Sequence, residues 1–160
     1  MGDPRRRDRR RGGLRILALA AVFWACACDR TPPDPQLVPD VVLQTELGLT
    51  ENDRVHTIRV STADVERADP LQLNVRPGDY VQFVSDDRFV HEVVFPLDSL
   101  PPPRRAFLSR TGQSASPPLL ELGARFVVSF VGAPVGRYPY RLEGNRGPGG
   151  GEIVVAEPER

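Results

Sequence analysis

Few side chains in this 160-residue chain can do chemistry, and they are scattered. The imidazoles are His56 and His91, the thiols are Cys26 and Cys28, and the one methionine is Met1. His91 is the most suggestive, because it follows the polar loop Ser85-Asp86-Asp87-Arg88 and opens the alternating run His91, Val93, Phe95. An imidazole at such a place can ligate a metal, carry a proton or hold a structural hydrogen bond. Asp86 and Asp87 beside it suggest a hard-metal site, although adjacent acids in a hairpin loop read more simply as solvated turn residues. His56 stands in mid-strand without partners and reads as a structural or surface histidine. No G-x-S-x-G accompanies either imidazole, so a Ser/His/Asp arrangement is not expected. The run Gly147-Pro148-Gly149-Gly150-Gly151 lacks the Lys-Ser/Thr and helix that a phosphate loop requires. For want of paired catalytic groups, the chain is not expected to be an enzyme.

The elements that must position these residues are short strands. Leu71, Leu73 and Val75 alternate with polar neighbours, Pro77-Gly78-Asp79 turns the chain, and Val81 and Phe83 resume the alternation before His91. Upstream, Val41–Leu47 and Arg54–Val60 are two further strand candidates, and the polar segment Ser61–Pro70 reads as a connection. Residues 96–118 are rich in proline and make a long connection, within which Arg104–Ser109 suits a short helix entered at Pro101–Pro103 and left at Gly112. Strands follow at Ala124–Phe130, at Arg137–Leu142, where Pro139 argues for an edge or a strand end, and at Glu152–Ala156. The expected fold is all-β, a Greek-key β-sandwich of about seven or eight strands with one short helical insertion.

The motif V-x-x-G-D-x-V-x-F, from Val75 to Phe83, followed by H-x-V-x-F, from His91 to Phe95, resembles the cupredoxin (plastocyanin-like, blue-copper) family. The Asp98-Ser99-Leu100-Pro101 insertion is similar to that of plastocyanin-like lipoproteins. The resemblance places His91 on the first copper ligand. It also implies a last loop of the form G-x-Y-x-F-x-C-x-x-H-x-x-x-G-M-x-G-x-V-x-V, where this chain reads GRYPYRLEGNRGPGGGEIVV. Leu142 stands at the cysteine, Asn145 at the second histidine, and Gly150 marks the methionine, in a loop one residue shorter. A blue-copper site needs two imidazoles and a thiolate with a weak axial ligand. The resemblance therefore implies a retained fold with a degenerate site, no resident cofactor, and a binding or scaffold role. The alternative is a copper-binding electron carrier whose site is atypical or completed by a partner.

Charge and leader set the remaining expectations. Every basic residue is an arginine, and seven of them lie in residues 1–27. From Cys28 onward, fourteen arginines face nineteen acids, a net of −5, which argues against nucleic acid as partner. The arginine block Arg5–Arg11 and the short apolar run Leu14–Ala25 have the form of a secretory signal rather than a buried helix or a membrane span. Ala27-Cys28 resembles a lipobox, as does Ala25-Cys26 with the bulkier Trp24 behind it. Cys28 (or Cys26) is thus the expected lipidation site, against an ordinary cleaved signal with two incidental thiols. The expected organisation is a lipoprotein signal peptide at 1–27, a proline-rich tether without fixed structure at 28–40, and a cupredoxin-like domain at 41–157. Export to the periplasm or outer cell surface follows, with the membrane, through the lipid anchor, and another envelope protein as candidate partners.

Overall fold

The computed structural model describes residues 33–157. Its elements in chain order are helix α1 (Val41–Leu47), strands β1 (Val55–Thr62), β2 (Glu66–Asp69), β3 (Gln72–Val75), β4 (Tyr80–Ser85) and β5 (His91–Val94), helix α2 (Pro102–Thr111), and strands β6 (Arg125–Ser129), β7 (Gly136–Gly144) and β8 (Gly149–Val155). Two four-stranded sheets result, ordered β2-β1-β4-β6 and β3-β8-β7-β5. The pairs β1–β4 and β3–β8 are parallel and all the others antiparallel, so each sheet is mixed. This is the all-β sandwich with a short helix that the sequence pattern implies.

Alternation builds the core. In β4 every second residue, Val81, Phe83 and Ser85, points inward, and β5 sends in His91 and Val93 from the other sheet. The ring of Phe83 is fully buried; it stacks on Phe126 and meets the edges of Phe95 and Tyr140, the latter at a centroid distance of 4.9 Å. A second aromatic group, Phe107, Phe130 and Tyr138, fastens α2 onto the sandwich. The prolines at the start of α2 and Gly112 at its left-handed cap (φ 67) bound that helix where the sequence suggests.

Three expectations are corrected. Val41–Leu47 is a helix, because the Asp40 side chain accepts from the Leu43 amide at 3.0 Å and Gly48 closes the other end in the left-handed region (φ 66). Only Leu43 of that helix is buried, so one anchoring side chain and two caps outweigh the strand preference of Val41 and Val42. Ser61–Pro70 is no mere connection: it folds back so that Thr62 pairs with Glu66 and Arg59 with Asp69, making β2. Pro139 lies inside β7, a central strand, where the ladder to β5 ends at Arg141 and leaves no partner on that side for the missing N–H.

The proline-rich segment is also ordered over its described part, 33–40. The Leu37 carbonyl accepts from the Val55 amide at 2.8 Å, the Pro39 carbonyl accepts from the Gln44 side chain at 2.7 Å, and Pro39 is buried. Removing the Phe83 ring should expose how far the fold rests on the first aromatic group. Phe83→Ala is expected to cost roughly 3–5 kcal/mol in urea denaturation, and a loss under about 1 kcal/mol would contradict this packing.

Candidate functional site

His91 begins β5 and faces the interior between the two sheets. Its side chain has no solvent exposure. Nδ1 lies 2.6 Å from Glu66 Oε2 and Nε2 lies 2.8 Å from Asp87 Oδ1, so both ring nitrogens are engaged by carboxylates on opposite sides of the ring. Carboxylates only accept, so both bonds form together when the imidazole carries both protons or when one carboxyl keeps its own. Glu66 belongs to β2 and Asp87 to the loop after β4, whereas His91 belongs to the other sheet. The trio is a polar clamp across one end of the sandwich.

Each member is held by its surroundings. Glu66 is fully buried and accepts from the Thr62 hydroxyl at 3.1 Å. Asp87 accepts from the amides of Thr62 and Phe89, both at 2.7 Å. Burial works to raise the Asp87 carboxyl, but those two amides and the His91 ring outweigh it and hold the group below its ordinary value. Asp87 is thus a structural acceptor and not the solvated turn residue expected, while Asp86 stays exposed and pairs with Arg59 at 3.0 Å.

The last loop does arrive beside His91, since Gly144 stands opposite it in the β5–β7 register. Leu142, at the position of the thiolate, is fully buried and packs into the hydrophobic core. Asn145 is exposed, and Gly150 is a paired residue of β8 opposite Arg141. The space near the imidazole is taken by Glu66: a Cβ on Gly144 would collide with Glu66 Oε1, and one on Gly149 with the Glu66 backbone oxygen. Among the described residues, no group of three or more His, Cys, Asp or Glu side chains converges to hold a metal ion. The donor set at His91 therefore does not fit a blue-copper centre: both imidazole nitrogens are occupied, and a buried aliphatic side chain stands where sulfur is needed. Cys26, Cys28 and Met1 lie outside the described residues.

His56 sits near the far end of β1 with its side chain 11% exposed, and its Nε2 lies 2.8 Å from Asp79 Oδ2. It is the structural histidine expected. Burial works to raise the Asp79 carboxyl, yet the His56 ring, the Arg76 amide and the Arg54 charge hold it below its ordinary value. Glu66 was not legible as a site residue. In Val65-Glu66 the apolar side chain is 42% exposed and the acid is buried, the reverse of what hydrophobic patterning suggests.

Two expectations follow from this geometry. His91→Leu leaves the Glu66 carboxylate buried without its partner and should cost roughly 3–5 kcal/mol, with part recovered when Glu66 is also made apolar; urea denaturation of the single and double variants measures both. A loss under about 1 kcal/mol in the single variant would remove the clamp from the account of stability. Because the folded value of Asp79 is depressed, its contribution is complete above the ordinary carboxylate value of about 3.9 and is lost as pH falls through the depressed one. Asp79→Asn should therefore flatten the acid limb of the stability–pH curve, and an unchanged limb would show that other acids govern it.

No protein-family model and no curated protein sequence matches the chain. Among solved structures, a copper-containing nitrite reductase from Thermus scotoductus SA-01 aligns at TM-score 0.50 and 22% identity, covering 81% of this chain and 28% of that one. A purple cupredoxin from Nitrosopumilus maritimus aligns at 0.41 and 20% identity over 63% of this chain and 99% of its own length. A variant of amicyanin aligns at 0.45 and 17% identity over 76% and 95%. Two mixed four-stranded sheets, with a helical excursion between β5 and β6 and the closing β7–β8 hairpin, together with the first of these alignments, give this chain a cupredoxin-like fold.

Proposed function

We propose that this chain is an exported, lipid-anchored envelope protein whose cupredoxin-like body works without blue copper, as a non-redox binding or scaffold module. The observation that supports this reading is the engagement of both His91 nitrogens, by the fully buried Glu66 and by the partly exposed Asp87. A metal could reach either ring nitrogen only by displacing a carboxylate, and nothing in the last loop supplies a thiolate. The leader supports the anchoring: the arginine block, the short apolar run and the small residue before Cys28 (or Cys26) form the pattern of a diacylated export signal.

The metal part of the proposal is tested by colour. The unmodified protein with added Cu(II) should show no intense visible charge-transfer band, since that band arises from a sulfur–copper bond. Restoring the loop with Leu142→Cys, Asn145→His and a methionine inserted near Gly150 should leave the protein colourless while Glu66 remains. Adding Glu66→Ala to that variant should bring the band up. A blue unmodified protein would overturn the reading and establish the electron carrier instead. For the anchor, radiolabelled palmitate should enter the chain and be lost when Cys26 and Cys28 are both changed to Ser, releasing soluble protein. Recovery of the unmodified protein wholly in a soluble periplasmic fraction would contradict it.

A further inference from the structure

At the end of the sandwich away from His91, a cleft of about 410 Å³ opens where β1 and β4 begin and β3 and β8 end. Its polar lining comes from Arg54, His56, Asn74, Arg76, Asp79 and Glu157. The geometry points to this cleft as a binding site for a small oxyanion, a carboxylate or a phosphate group, taken by the guanidinium groups of Arg54 and Arg76.

Asp79 is 5% exposed and spends one of its two carboxylate oxygens on the wall of the cleft. Its Oδ2 takes the His56 ring at 2.8 Å and the Arg76 amide at 3.0 Å, and its Oδ1 faces Arg54 Nε at 3.6 Å. The carboxylate thus fixes one wall of the cleft. That last distance is too long for a hydrogen bond, and Arg54 Nε is a buried donor with no partner among the described residues. A buried donor left unpaired is unfavourable, and the Arg54 side chain, 35% exposed and lining the cleft, can meet an acceptor that enters. The Arg76 side chain makes no ion pair or side-chain hydrogen bond among the described residues, although it lines the same space. Asn74 adds an amide from β3.

Two guanidinium groups with unspent donors select a planar or tetrahedral oxyanion, which their forked N–H groups bind in pairs. Glu157 is the counterweight. With Asp79 it cancels the formal charge of the two arginines, so the bare cleft is neutral and an anion competes with that one exposed acid. The cleft volume falls in the range of small-ligand pockets. The site is independent of copper and of lipidation, being far from His91 and within the described body.

Inorganic phosphate and succinate, titrated separately into the full-length protein with chloride held constant, distinguish the two ligand types. Nitrogen NMR of the Arg54 Nε and the His56 ring should show a saturable shift with at least one of them, while the His91 ring resonances stay put. Arg76→Gln should weaken that binding by about tenfold, the loss of one charge-assisted contact, and Glu157→Gln should strengthen it. Because neither side chain supports the core, both variants should keep the parent's thermal midpoint. Absence of a saturable shift with either anion up to about 50 mM, a concentration at which only very weak binding would escape, would overturn the proposal. So would binding unchanged in Arg54→Gln,Arg76→Gln.

Discussion

The clamp of Glu66, His91 and Asp87 is the constraint to which this end of the sandwich answers. Glu66 and His91 are taken wholly out of water where the two sheets meet, and Asp87 partly so, and such a cost is tolerable only when each finds its partners. The partners dictate local structure. Glu66 reaches His91 only because residues 63–65 fold β2 back onto β1, and Asp87 does so only because the loop after β4 turns on its own side-chain bonds to the Thr62 and Phe89 amides. Thr62 donates to both acids, its amide to Asp87 and its hydroxyl to Glu66, so a single strand end aligns the whole arrangement.

The opposite end is built on a different logic. There a lone buried acid, Asp79, gathers a histidine, an arginine and a backbone amide around itself and leaves donors over. One pole is thereby closed and saturated, the other open and short of acceptors. The hydrophobic middle, from Phe83 through Tyr140 to Phe130, separates the two polar systems and holds each in register. Burial pushes the phenol of Tyr138 up to about 12 and that of Tyr140 higher still, so these rings act as neutral filling between the poles.

Much of the frame was legible in the sequence, and the reasons are physical. Period-2 alternation marks β3, β4, β5 and β6 because one face of each strand is wet or less buried than the other, and Pro and Gly mark the turns and α2 because they restrict or free the backbone. The helix at 41–47 escaped because its side chains carry a strand-like preference and its caps, Asp40 and Gly48, lie outside the run that draws the eye. Strand β2 escaped because its inward residue is an acid. Its functional weight depends on a contact between residues 66 and 91 that a register sets and no linear spacing announces. The sequence marks His91 as a residue of interest in that region, but its environment is a property of three elements at once.

The glycines at 144 and 149 carry a consequence for descent. An added methyl group at Gly144 would meet the Glu66 carboxylate and the Val90 carbonyl, and one at Gly149 the backbone carbonyl of residue 66 itself. Both glycines are thus required by neighbouring backbone as well as by residue 66, and only the Gly144 contact involves the Glu66 carboxylate. On this reasoning glycine should stand at 144 and 149 among descendants of this chain even where position 66 no longer carries an acid.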